Sequence, residues 1–107
     1  MTMLEKIREC ARNEQPELVR LRRDFHMHPE LAWREFRTTQ MLAELIEPLG
    51  FDIIRRGIHG TRSGLIAELQ GGAGDGKTFA LRADIDALSL TEETGAEYAS
   101  RSDGVSH

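Results

Sequence analysis

The stretch Thr78-Phe-Ala-Leu-Arg-Ala-Asp-Ile-Asp-Ala-Leu88 decides the fold class that the sequence predicts. It begins with an apolar run over residues 78–83, which is typical of a buried strand, and it ends in two carboxylates, Asp84 and Asp86. Residues two apart on a strand point to the same side, so Arg82 would share a face with both acids. Ligand sites in open α/β sheets lie beyond the carboxyl ends of strands. The stretch therefore predicts a site at the end of a third, central strand.

The two acids have two interpretations that their residue types leave open. Aspartate after a strand is a frequent turn former, so Asp84 and Asp86 could serve only to close a turn. In the other interpretation, a cation offsets the repulsion between the two carboxylates. That cation is either Arg82 or a divalent metal that holds and activates a water molecule.

Helical spacing dominates the first half of the chain. Apolar residues from Leu4 to Ala11 and from Leu18 to Phe25 predict two helices, with a break at Asn13 or nearby polar residues and Pro16 as a possible start of the second helix. A third helix is predicted to begin near Ala32 or Trp33, with Trp33 packed at its start, and to end at Pro48 and Gly50.

Two further strands are predicted after these helices, over residues 51–54 and 63–69. The glycine-rich run over residues 71–76 is long enough to join the second strand to the third in antiparallel fashion. This order of elements predicts an α/β fold with a mixed sheet flanked by helices. Beyond Leu90 the chain is polar and has no clear period.

Length and composition exclude several classes of protein. A chain of 107 residues holds at most one small domain, and a net charge of −4 disfavours nucleic acid, which requires a basic patch. No apolar stretch is long enough for a signal peptide core or a membrane span. Cys10 is the only cysteine, which fits a reducing compartment. We expect a cytoplasmic protein.

The histidines and a phosphate-loop pattern are weaker signals. His26 and His28 could bind a metal together if the segment were extended, but a helix end, where the two rings diverge, is favoured. His59 is predicted to be solvated, and His107 has no predicted setting. Residues 71–78 match the phosphate-loop pattern, yet that loop must open a helix, whereas a strand is predicted to follow here.

Several segments together resemble the hippurate hydrolase-like amidohydrolases, which are members of the aminoacylase and zinc-peptidase superfamily. The resemblance spans about residues 18 to 107 and rests on these segments: Leu21-Arg-Arg-Asp-Phe-His-Met-His-Pro-Glu-Leu31, Glu35-Phe-Arg-Thr38, Leu81-Arg-Ala-Asp-Ile-Asp-Ala-Leu88, Glu92-Glu-Thr-Gly95 and Tyr98-Ala-Ser100. One departure is Gly60-Thr61-Arg62, where the family often has Gly-Thr-Gly.

The resemblance implies a longer, two-domain enzyme that uses zinc, manganese or a similar divalent metal to hydrolyse the amide of N-acyl amino acids. A metal-activated water would attack the acyl carbonyl while a glutamate relays the proton. Residues 1–107 would then be the N-terminal part of a three-layer, zinc-peptidase-like catalytic domain. The metal ligands would lie mostly beyond His107, and so would an inserted domain that often mediates homodimerisation.

At residue level, the resemblance places Asp84 and Asp86 on the family's Asp-x-Asp motif. Both acids are expected to lie near the metals as part of the catalytic site, without being direct metal ligands. Asp86 is expected to orient a neighbouring ligand through a hydrogen bond. No residue of 1–107 is predicted as a direct metal ligand, and none is predicted to bind another cofactor.

A rival hypothesis from a different class is a small non-enzymatic module that binds a partner or a cation. The helix–strand layout and the acidic balance support it. An open reading frame that continues past codon 107 with Cys-Gly-His-Asp would exclude this rival, and a stop codon there would weaken the enzyme hypothesis.

We expect the isolated 107-residue chain not to hydrolyse N-acyl amino acids in the presence of added zinc or manganese. The reason is that essential ligands are expected downstream. The measurement is amino-acid release from N-acyl substrates, and sustained turnover by the isolated chain would contradict the expectation.

Overall fold

Two helices and a β-hairpin form the framework of the chain. The structure, a computed structural model, describes residues 1–107. Helix α1 spans Met3–Met27, and helix α2 spans Phe36–Ile46 and runs into a 3-10 turn at Glu47–Leu49. Strands β1 (Ile53–Arg56) and β2 (Leu65–Glu68) pair antiparallel, with Ile53 opposite Glu68. The predicted α/β class is confirmed, with a sheet of two strands.

Helix α1 is one continuous helix, so the predicted break at Asn13 or nearby, with a second helix starting at Pro16, is wrong. Proline lacks the N–H that would bond to the carbonyl four residues earlier, which usually disrupts a helix interior. None of the residues of α1 is buried, so solvent can satisfy the freed carbonyl. The N-terminus is closed by a capping box in which Thr2 Oγ1 accepts from the backbone N–H of Glu5 and Glu5 accepts from that of Thr2.

Helix α2 begins at Phe36, later than predicted, because a carboxylate from outside the helix caps it there. Glu30 Oε1 accepts from the backbone N–H of Thr38 at 2.6 Å, and Glu30 Oε2 accepts from that of Arg37 at 3.1 Å. These are N–H groups that a helix leaves without an internal partner. Trp33 lies outside the helix at φ 66° and is 64% exposed, so its predicted packing role is wrong.

The first turn of α2 is fixed to the loop between the two strands by hydrogen bonds. Ser63 Oγ accepts from the backbone N–H of Glu35 at 3.2 Å, and Thr39 Oγ1 accepts from that of Gly64 at 2.9 Å. Ala43 of α2 is completely buried. The interior at this point therefore consists of small and hydroxyl-bearing side chains rather than large apolar ones.

The strand boundaries are close to those predicted, and glycines set the turns. β1 begins two residues later than expected, and β2 lies within the predicted 63–69. Gly50 ends the 3-10 turn at φ 84°, as its helix-stop role predicts. Gly57 has φ 75°, and a Cβ there would lie 2.1 Å from the carbonyl oxygen of Thr61, so only glycine fits.

The third predicted strand, over residues 78–83, is wrong for the chain as described. The segment belongs to no strand, and Phe79 is 88% exposed. Apolar side chains stay exposed here because no neighbouring strand within residues 1–107 offers a surface to cover them. The glycine-rich run over residues 71–76 consequently joins no pair of strands.

The last segment, residues 87–107, is irregular, as predicted. Backbone hydrogen bonds nevertheless attach it to the end of α1 and to the turn that follows it. The backbone N–H of Ala87 donates to the carbonyl of Glu30 at 2.7 Å, and that of Arg101 donates to the carbonyl of Met27 at 2.9 Å. Leu88 and Ser106 exchange two backbone hydrogen bonds, at 2.8 and 3.0 Å. Both Ala87 and Ser106 are buried.

Replacing Glu30 with alanine should lower the free energy of unfolding by about 1 kcal/mol, the usual cost of losing a helix N-cap. The measurement is urea denaturation followed by circular dichroism. Glu44→Ala is the matched control, because Glu44 accepts only an exposed bond from Gln40 and should cost a few tenths of a kcal/mol. Equal losses in the two variants would contradict the capping role.

Candidate functional site

A cleft of about 290 Å³ lies where the end of α1, helix α2 and the two ends of the segment 84–107 meet. Its walls combine apolar side chains with an arginine, two histidines and one of the predicted acids. The lining residues are Arg22, Phe25, His26, Thr38, Leu42, Asp84, Ile85 and His107.

The structure places the two predicted acids differently. Asp84 lines the cleft, and its carboxylate lies 2.8 Å from the guanidinium of Arg82. The expectation that Arg82 can offset this charge is thus confirmed for Asp84. Asp86 is exposed and does not line the cleft. The ion pair is also exposed, 69% at the Asp84 side chain, so water screens it and it adds little stability.

Glu92 is the most strongly hydrogen-bonded carboxylate of the chain. Its Oε1 lies 2.5 Å from His26 Nε2 and accepts from the backbone N–H of Ser100 at 3.1 Å and from Ser106 Oγ at 3.2 Å. Its Oε2 accepts from the hydroxyl of Thr94. The Glu92 side chain is 7% exposed. It therefore joins the C-terminal turn of α1 to three points of the last segment.

These bonds favour the ionised form of Glu92. The Thr94 hydroxyl has the largest effect, and with the Ser100 N–H, His26 and Ser106 it lowers the pKa of Glu92 to about 2. Partial desolvation opposes the shift but does not overcome it. At neutral pH the group is an anion with only hydrogen-bond donors around it.

His26 and His28 do not converge, as the helix-end interpretation predicts. His26 is in the last turn of α1 and bonds to Glu92. His28 caps the same helix, and its Nδ1 donates to the carbonyl of Asp24 at 2.9 Å. The imidazole that approaches His26 belongs to His107, with ring centroids 6.0 Å apart.

The other sequence signals are placed as follows. His59 is exposed, as predicted, and its φ is 51°. No helix follows the phosphate-loop pattern at residues 71–78, which removes the helix N-terminus that such a loop needs.

The described residues do not form a metal centre by themselves. No three histidine, cysteine, aspartate or glutamate side chains of residues 1–107 lie close enough together to hold a metal ion. The carboxylate of Asp84 already has Arg82 as its cation. A divalent metal therefore does not fit this set of residues alone.

Sequence reasoning missed Glu30 and Glu92 as organising residues. Both occur within the segments that carry the family resemblance, but neither spacing nor composition indicated which distant groups they would contact. For Glu92, the surrounding serines and threonines were the available signal, since hydroxyls are common donors to a partly buried carboxylate.

Comparisons with known proteins show that the chain is similar to part of several hydrolases. No protein-family model matches it. It is 44% identical over 91 residues to N-acetyldiaminopimelate deacetylase of Bacillus subtilis, covering 85% of this chain and 24% of the relative. It is 40% identical over 90 residues to N-acetylcysteine deacetylase of the same organism, covering 84% of this chain and 23% of the relative.

A third relative matches the whole chain. The chain is 35% identical over 107 residues to thermostable carboxypeptidase 1 of Saccharolobus solfataricus, covering 100% of this chain and 26% of the relative. These relatives are hydrolases. The chain spans about a quarter of their length.

Two solved structures are similar to the chain in fold and in sequence. The crystal structure of the YXEP protein of Bacillus subtilis, a dinuclear metal-binding peptidase from the M20 family, has a TM-score of 0.79 and 38% identity. The match covers 90% of this chain and 26% of that protein. A protein of methicillin-resistant Staphylococcus aureus has a TM-score of 0.83 and 33% identity, covering 98% and 27% of the respective chains.

Neither helix combines the length and the apolar character that a membrane crossing requires.

Glu92→Gln should destabilise the chain in a pH-dependent way. Because the pKa of Glu92 in the folded state is about 2, below its ordinary value of 4.5, the ionised group stabilises the fold fully above pH 4.5. That contribution is lost as the pH falls from 4.5 towards 2. The difference in unfolding free energy between wild type and variant should therefore shrink over this interval, in urea denaturation at a series of pH values.

The matched control for this experiment is Glu93→Gln, which removes the neighbouring exposed carboxylate. It should show little difference from wild type at any pH. A Glu92→Gln difference that stays constant from pH 6 to about pH 2 would contradict the assignment of a lowered pKa.

Proposed function

We propose that the full-length gene product is a metal-dependent amidohydrolase that cleaves the amide bond of N-acyl amino acids or related conjugates. One observation carries the proposal: the chain is 40% and 44% identical, over most of its length, to two enzymes named as deacetylases of N-acetylated amino acids. The finer proposal is a hydrolase of the hippurate type.

The metal requirement is proposed from the dinuclear metal-binding peptidase that shares the fold at a TM-score of 0.79. Zinc and manganese are the proposed ions. Since the described residues bring together no set of metal ligands, most ligands are proposed to come from outside residues 1–107. The contribution of this segment is then to shape one wall of the site and to supply charge at its edge.

Asp84 and Asp86 are proposed to act at that edge. Asp84 lines the cleft, where a carboxylate can orient a cationic or hydrogen-bond-donating group. Asp86 is exposed, and its side chain makes no hydrogen bond or ion pair within residues 1–107. It is proposed to orient a metal ligand through a hydrogen bond. A homodimer or a higher homo-oligomer in the cytoplasm is the proposed state of the full-length protein.

The tests are Asp84→Asn and Asp86→Asn in the full-length gene product. Each should lower metal affinity or kcat/KM on an N-acyl amino acid by about 10- to 100-fold, as is usual when a group supporting a metal ligand is removed. Bound metal is measured by elemental analysis, and activity is measured by amino-acid release.

Two comparisons separate a functional loss from unfolding. Asp75→Asn, in the exposed glycine-rich run, should leave metal content and kcat/KM unchanged. The melting temperature of Asp84→Asn should stay near that of wild type, because its ion pair with Arg82 is exposed. Wild-type activity without bound metal, or full activity in both aspartate variants, would overturn the proposal.

A further inference from the structure

The carboxylate of Glu92 contacts one of the two cleft histidines, His26, and also Ser106, the residue before the other. Glu92 Oε1 contacts His26 Nε2 directly, at 2.5 Å. It also accepts from the hydroxyl of Ser106, which is 1% exposed and is held by two backbone bonds to Leu88. His107 follows Ser106 directly, and its ring centroid lies 6.0 Å from that of His26.

The surroundings of Glu92 determine which nitrogen of His26 carries the proton. An ionised carboxylate can only accept hydrogen bonds. The remaining partners of Glu92 are the N–H of Ser100 and the hydroxyls of Thr94 and Ser106, all of which donate to it. His26 Nε2 therefore donates to Glu92 as well, and whenever the imidazole carries a single proton, Nδ1 is the unprotonated nitrogen.

The free nitrogen belongs to a ring at the wall of the cleft. The only side-chain hydrogen bond of His26 within residues 1–107 is the one to Glu92. Its Nδ1 has no hydrogen-bond partner there and is accessible to solvent. The apolar neighbours in the lining are Phe25, Leu42 and Ile85. An apolar wall beside a hydrogen-bond acceptor is complementary to an amide N–H next to an apolar acyl group.

We propose that Glu92 is a positioning residue that holds His26 as its Nε2–H tautomer, so that Nδ1 accepts a hydrogen bond from the amide N–H of an N-acyl amino acid in the cleft. This inference rests on the proposed amidohydrolase function and adds a substrate contact to it. The apolar side chains of Phe25, Leu42 and Ile85 take the acyl group.

The first test reads the tautomer and does not depend on activity. In the full-length gene product labelled with ¹⁵N-histidine, the His26 ring is assigned by comparison with His26→Gln. Wild type should show a protonated Nε2 and an unprotonated Nδ1 at neutral pH. In Glu92→Gln the two nitrogen resonances should move towards each other, because a carboxamide can both donate and accept. Glu93→Gln should match wild type.

The second test reads the substrate contact. Wild type should prefer an N-acyl amino acid over its N-methylated analogue, which lacks the amide N–H. Glu92→Gln should reduce this ratio of kcat/KM values by about fivefold, the contribution of one neutral hydrogen bond, whereas Glu93→Gln should keep it. Comparing ratios within each variant removes any general loss of activity.

The outcomes separate this inference from the proposed function. A wild-type His26 protonated on Nδ1 overturns the positioning role, even if the protein hydrolyses amides. A substrate ratio that is equal in wild type and in folded Glu92→Gln overturns the amide contact. If the full-length protein does not hydrolyse amides, both the proposed function and the substrate contact are overturned. The tautomer of His26 then still shows whether Glu92 positions the ring.

Discussion

Hydrogen bonds from backbone N–H groups to carboxylates and hydroxyls hold this chain together, because none of its large apolar side chains is buried within residues 1–107. The buried residues are small or polar, with Ala43 and Ala87 as the apolar members. Glu30 joins the start of α2 to the end of α1, and Glu92 joins α1 to the last segment. Each such bond fixes the relative orientation of the two bonded groups as well as the distance between them. Loops without regular secondary structure therefore still have defined positions.

The sequence predicted those parts of the fold that depend on neighbours in the chain. The α/β class, the end of α2 at Pro48 and Gly50, and strand β2 follow from local spacing and local stop signals. The start of α2 was misplaced because Glu30, which sets it, acts across the intervening turn. The prediction at Pro16 was wrong because an exposed helix tolerates the unpaired carbonyl that proline leaves, whereas a buried helix does not. Residues 78–83 have the composition of a buried strand, but a strand also needs a partner, which no local pattern reveals.

In the candidate site, too, contacts between neighbours in the sequence could be predicted and contacts between distant residues could not. A pairing of Asp84 with Arg82 was visible from their spacing in the sequence, and the two do form an ion pair. The meeting of His26 with Glu92 and His107 was not visible, since 66 residues separate the first two in sequence and only the folded backbone brings them together. The similarity to deacetylases and to a dinuclear metal-binding peptidase is the basis of the proposed chemistry. The geometry then distinguishes side chains that support the cleft from those that face it.

The exposed segment between β2 and Ala87 is anchored independently at its two ends. On one side, the backbone N–H of Gln70 donates to Asp52 Oδ2, and on the other that of Ala87 donates to the carbonyl of Glu30. The residues between these anchors carry no bond on which the rest of the described chain depends. Residues inserted into or removed from the glycine-rich run would thus break no hydrogen bond that joins the described elements to one another.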